Sequence, residues 1–243
     1  MPVFNTTGDV DPFLHVALRQ GEKIYCESDA MVMMESALDL HGRMTGGLRG
    51  AIMRRLANGE SFFQQHIEAV RGSGDCLLSP MLPGAIEVIE VGARQYLLND
   101  GAFVAATFGT EMKVRTQNIG NALFAQSGGF FVMETSGTGQ VVIAGFGSMF
   151  QLDVEAGKDV IIDNSHVVCW DSSLHYEISV TTGGGDSGGK SGGGGIGGFI
   201  GNIVNSVTSG EGVVLRFSGT GKVFICSRNR DAFLKWASTG KPG

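Results

Sequence analysis

Residues 136–143 read SGTGQVVI and residues 218–225 read SGTGKVFI. In a chain with 39 glycines among 243 residues a shared SGTG alone carries little weight, but the flanks agree as well. A short apolar stretch precedes each copy, at 130–133 and 213–215, and each stretch follows a glycine pair or Gly-Glu-Gly. Apolar stretch, glycine turn and apolar stretch predict a β-hairpin used twice. A third version, GESFFQQHIEAVRGSGDCLL at 59–78, has a double Phe and a glycine turn with a longer spacing between them.

Working outward, ALRQGEKIYCESDAMVMME at 17–35 lies without gaps over DVEAGKDVIIDNSHVVCWD at 153–171. Gly21 then meets Gly157, Ile24 meets Val160, Glu27 meets Asp163, Val32 meets Val168 and Glu35 meets Asp171. A middle copy at 89–107 keeps Tyr96, Leu98, Asn99 and Val104 in the same register. Each copy turns at Glu27, Asn99 or Asp163, since acidic and amide side chains bond readily to nearby backbone. Beyond the last copy, Leu174, Tyr176, Ile178 and Val180 alternate with His175, Glu177 and Ser179, the period of a strand with one buried face.

Connectors with helical spacing separate these segments. Leu48, Ile52, Met53 and Leu56 match Phe199, Ile203, Val204 and Val207 position for position, while the middle connector, 118–126, has room for about two turns. The expected architecture is therefore mainly β, with three repeated units at 1–82, 83–148 and 149–243, each carrying a short helix, in one body around a pseudo-threefold. The first helix, about 47–57, is basic and amphipathic. Residues 183–198, GGGDSGGKSGGGGIGG, cannot build a core and are expected to form a flexible insert in the third unit.

Bulk properties narrow the function. The formal charge of −6 gives no electrostatic footprint for nucleic acid. Cys26, Cys76, Cys169 and Cys226 lie far apart without a CxxC pair, which predicts reduced, buried thiols rather than a zinc site. With no secretory leader and no long apolar run in the sequence, a cytoplasmic location is expected.

The string GGLRGAIMRRLANGESFF at 46–63, with the later Gly-Glu-Gly and the SGTG turns, resembles a family of uncharacterised bacterial proteins. That family is related to the mitochondrial biogenesis family named for altered inheritance of mitochondria. The resemblance runs from about Val16 to Arg230, although the family more often has Pro where this chain has Thr138 and Thr220. It implies a fold like that of the tryptophan RNA-binding attenuator protein, a ring-forming relative of the double-stranded β-helix. It implies no established activity, and the mitochondrial relatives point toward scaffolding.

Catalytic motifs argue poorly. GGDSGGKS at 184–191 satisfies the P-loop pattern, with Lys190 in place, yet four glycines follow Ser191 where a helix N-terminus must aim its amides at phosphate. The histidines, His15, His41, His66, His166 and His175, show no His-x-His; His175 shares a strand face with Glu177, and His166 precedes Cys169 by three residues. Ser73, Ser136 and Ser218 sit in glycine turns without a nucleophile elbow. No enzyme, cofactor or metal site is thus expected. The sequence points instead to a homo-oligomeric scaffold or interaction protein, a trimer in the first instance, or to a small-ligand module with a pocket between units. Arg43, Arg49, Arg54 and Arg55 on the first helix are the candidate surface for a protein partner or peripheral membrane contact.

Overall fold

The computed structural model describes residues 1–42, 65–117, 130–180 and 213–240. These form nineteen strands, one 3₁₀ turn at Asn164–His166 and one α-helix. The strands are antiparallel throughout, in two six-stranded sheets, one four-stranded and one three-stranded sheet.

After β1 (Val3–Thr7), the strands fall into three sets of six. The first set is β2 (Phe13–Leu18), β3 (Lys23–Cys26), β4 (Met31–Met34), β5 (Leu38–Gly42), β6 (Gln65–Ala69) and β7 (Gly74–Leu78). The second is β8 (Ile86–Val91), β9 (Tyr96–Leu98), β10 (Phe103–Thr107), β11 (Thr110–Gln117), β12 (Phe130–Gly137) and β13 (Gly139–Ala144). The third is β14 (Met149–Val154), β15 (Val160–Asp163), β16 (Val167–Asp171), β17 (His175–Val180), β18 (Val213–Ser218) and β19 (Gly221–Cys226). In every set the sixth strand lies between the first and third, and the fifth lies between the second and fourth. Each set thus contributes to two sheets.

The glycine turns do not make hairpins. The strands flanking them, β6 and β7, β12 and β13, β18 and β19, belong to different sheets. The reason is visible at Thr138, the single residue joining β12 to β13: two strands cannot fold back on each other through one residue, whereas a corner that switches sheets needs no more. Thr138 donates its N–H to the Gly109 carbonyl at 2.9 Å, and a Cβ on Gly137 would lie 2.2 Å from that same oxygen. Gly137 is at φ 83°, in the left-handed region that favours glycine. Its recurrence in the sequence marks a corner, not a reverse turn.

Neighbouring sets are sewn together by one kind of seam. The second strand of a set pairs with the third strand of the next, β3 with β10 and β9 with β16. In the first seam Cys26, Tyr25 and Ile24 face Ala105, Ala106 and Thr107; in the second Leu98, Leu97 and Tyr96 face Cys169, Trp170 and Asp171. The third strand of each set carries a bulge at the same place, Val32 in β4, Val104 in β10 and Val168 in β16. At both seams the bulged valine accepts a backbone hydrogen bond from the turn residue of the preceding set, Glu27 to Val104 at 2.8 Å and Asn99 to Val168 at 2.9 Å. A third seam, between β15 and β4, is what a closed pseudo-threefold requires. It is not made within the chain, for β4 and β15 are each the last strand of their sheet.

The core follows the seams. One apolar cluster joins Leu14, Ile24 and Ile67 of the first set to Val104 and Ala105 of the second. A second joins Leu98 and Phe103 to Val168 and Cys169 of the third set. A third gathers around Trp170, whose ring meets Tyr176 and Phe217 edge-on at 5.1 and 5.6 Å.

Sequence reading placed helices only in the connectors, and all three connectors lie outside the described residues. The helix that is described, α1 (Arg230–Thr239), follows the last strand. Its signals were available: Asn229 caps the N-terminus by accepting from the Ala232 N–H, and Gly240 closes it at φ 66°.

Candidate functional site

Two surfaces stand out, and the first is the pair of open edges. Val32 and Met33 in β4 are 54% and 42% exposed, while their counterparts at the seams, Val104 and Ala105 or Val168 and Cys169, are at most 3% exposed. On the other edge Ile161 is 60% exposed, against 6% for its counterpart Leu97. Among the described residues neither edge has a partner strand, and the two are the halves of the seam that the chain makes twice. Carrying the observed register across sets Met33 opposite Ile162, Met34 opposite Ile161 and Glu35 opposite Val160.

The second surface is a cleft where turns of all three sets meet α1. A cavity of ≈ 310 Å³ is lined by Glu27, Leu82, Asp100, Phe146 and Arg230 among others. It adjoins a smaller one of ≈ 190 Å³, bordered by Asn99, Asn164, Arg228 and Asn229 and sharing Asp100, Phe146 and Arg230. Phe233 anchors α1 against Phe146 with ring centroids 5.1 Å apart. Asn229 adds a hydrogen bond from Nδ2 to Ser165 Oγ at 2.9 Å.

The three turn residues behave differently here. Asn99 accepts from the Asp100 N–H at 3.1 Å, and Asp163 accepts from the Ser165 N–H at 2.8 Å, the local bonding expected of them. Asn99 also bridges to the third set, donating from Nδ2 to the Val167 carbonyl at 3.0 Å. Glu27, one methylene longer, lines the cleft instead. Burial, reinforced by the nearby Asp100 carboxylate and opposed by the Arg230 guanidinium, pushes its pKa up to about 7. A carboxyl poised near neutrality in a cleft is a recognised mark of a binding or catalytic position. Nothing in the sequence announced it, because Glu27, Asp100 and Arg230 meet only through the fold.

The remaining sequence candidates sort as follows. Arg43, Arg49, Arg54, Arg55, the helix at 47–57, the insert at 183–198 and Lys190 all lie outside the described residues. His175 and Glu177 do share a face, with Nε2 and Oε1 3.6 Å apart, on an exposed strand. His166 is engaged elsewhere than at Cys169: its Nδ1–H donates to the Cys226 carbonyl at 2.8 Å. Ser73 accepts from the Gln20 N–H at 3.2 Å. The four cysteines are free thiols, three of them buried, and burial raises the pKa of Cys26 and Cys76 to about 12, which makes them poor nucleophiles. Among the described residues no helix is long and apolar enough to cross a membrane.

Comparison with known proteins adds three findings. Residues 4–228 match the family model described as mitochondrial biogenesis AIM24. An uncharacterised protein of Streptococcus pyogenes serotype M6 is 35% identical over 228 residues, spanning 91% of this chain and 84% of its own. A crystal structure of a protein from Streptococcus pyogenes is similar at 32% identity with a TM-score of 0.76, covering 99% of this chain and 100% of that one.

Proposed function

The chain belongs to the mitochondrial biogenesis AIM24 family, and from that premise we propose that it is a non-catalytic scaffold that assembles head to tail into a closed homo-oligomer, with β15 of one copy pairing with β4 of the next. The observation that carries this reading is the seam itself. The chain builds the same junction twice, in one register and with one bulge, and among the described residues the two halves of a third copy have no partner strand. Open apolar edges recruit strands, and here the matching strand belongs to another copy of the same chain. A head-to-tail contact of this kind closes into a ring when its rotation permits. Three copies are expected, extending the repeat of three units in each chain to a ring. Light scattering tests this: the native protein should show three times the chain mass of 25.6 kDa, and Ile161→Lys should reduce it to one chain. A monomeric native protein at micromolar concentration would refute it.

The cleft supports a second reading, a small-ligand module with its pocket between units. Its volume suits a small molecule, Leu82 and Phe146 give it an apolar wall, and Glu27, Asp100 and Arg230 offer partners for both ends of a zwitterion. A thermal-shift screen of amino acids and small amines tests it: a true ligand raises the melting temperature of the native protein and not of Glu27→Gln. No shift with any compound removes this reading and leaves the assembly untouched.

A further inference from the structure

We propose that His41, His66 and Glu68 form a binding site for a divalent transition-metal ion of the zinc, nickel or copper class. This goes beyond the assembly and ligand readings and depends on neither.

The β5·β6 register sets His41 directly opposite His66. Their rings stack with centroids 4.9 Å apart and an interplanar angle of 23°. Glu68 follows His66 by two positions and so shares its face of the sheet. One potential ligand atom from each residue lies within 4.8 Å of the others. Metal–nitrogen and metal–oxygen bonds of about 2.0–2.2 Å bring such atoms to a common ion after modest side-chain rotation.

The surroundings favour these three donors. Asp39, opposite Glu68, is held by Arg71, with Oδ1 and Nη2 2.7 Å apart, which leaves Glu68 as the available carboxylate. Phe108 meets His66 edge-on at 6.4 Å and stacks on Tyr25 at 4.0 Å, walling one side of the imidazole. Lys23, opposite Glu68 on β3, also stands beside the site; its ammonium lies 4.5 Å from the centre of the Phe108 ring. Two imidazoles and one carboxylate on a rigid sheet, with positions left open to water, make a donor set suited to zinc, nickel and copper rather than to calcium or magnesium. His41 and His66 come from strands separated by a long connector, so no sequence motif joins them.

The test is calorimetric titration of chelator-treated full-length protein with zinc chloride and, separately, nickel chloride. Saturable binding of one ion per chain is expected, with His41→Ala and His66→Ala each weakening it by roughly tenfold or more, since even outer-sphere losses cost metal sites that much. Glu68→Gln should weaken it too, and His175→Ala, at the other His–Glu pair, should not. Saturating zinc should also raise the melting temperature of the native protein and not of His66→Ala. Both imidazoles are at least partly solvent-exposed, so these variants are expected to fold, and their circular dichroism checks that they do. No saturable uptake, or uptake unchanged in both histidine variants, would overturn the proposal.

Discussion

The backbone N–H of Glu27 donates to the carbonyl of Val104 at 2.8 Å, across the seam between the first two sets of strands. The equivalent bond recurs at the second seam, and extrapolating it once more assigns Val32 as acceptor for Asp163 of a neighbouring copy. Cross-linking can read that extrapolation. Met34→Cys combined with Ile161→Cys places two thiols directly opposite each other in the projected register. Mild oxidation should give covalent species up to the trimer and none larger, while either single variant gives far less. A ladder beyond the trimer on denaturing gels would show an open filament instead of a ring.

Glu27 should make stability depend on pH. Its folded-state pKa of about 7 exceeds the ordinary 4.5, so the folded protein holds a proton that the unfolded chain releases. Stability from this group is therefore full below about pH 4.5, falls as pH rises through the interval, and levels off above about pH 7. The whole effect is on the order of 3 kcal/mol. Glu27→Gln should flatten the difference, leaving the variant more stable than the native protein at pH 8 in urea titrations.

Trp170 is completely buried, and its indole N–H has no hydrogen-bond partner among the described residues. The ring therefore contributes through packing. Trp170→Phe, which also removes the unpaired donor, should cost less than about 1.5 kcal/mol, whereas Trp170→Ala should cost about 3–5 kcal/mol through the cavity it leaves. Chemical denaturation of the two variants separates these outcomes.

Gly137 and Gly157 have nearly the same backbone angle, φ 83° and 81°, but only Gly137 would place a Cβ against backbone. Gly157→Ala should cost about 1 kcal/mol from conformation alone. Gly137→Ala must also displace Gly109, and should cost about 3 kcal/mol or more. Equal melting temperatures for the two would mean that the corner relaxes freely.

Much of the strand content was legible because a sheet with one wet face writes a period of two. Leu174, Tyr176 and Ile178 are buried or half-buried while His175 and Glu177 are exposed, as their alternation predicts. The gapless correspondence of Val32, Val104 and Val168 was legible too, although not its meaning as a bulge that accepts the seam hydrogen bond. What misled was the glycine corner. A hairpin and a sheet-switching corner use the same residue types: the single residue Thr138 is too short a link for a hairpin, but the two residues 219–220 are a hairpin's length and still join strands of different sheets. Neither the Glu27 cleft nor the His41–His66 pair could be read from spacing, because both depend on which strands become neighbours. The α1 caps, Asn229 and Gly240, are legible in the sequence, whereas apolar periodicity points only to the connectors.

The nesting of strands within each set orders how the chain comes together during synthesis. The first strand pairs with the last, β2 with β7, so no set is complete until its sixth strand has left the ribosome. Such long-range pairing folds slowly and leaves edges bare meanwhile. The β3 edge waits for β10 and the β9 edge waits for β16, each supplied by the same growing chain. β18 later covers one side of β15, but no later segment of the described chain covers its other edge. If β15 pairs as proposed, its partner is most abundant on the neighbouring ribosomes of the same messenger, and assembly becomes the last step of translation rather than an encounter in dilute solution.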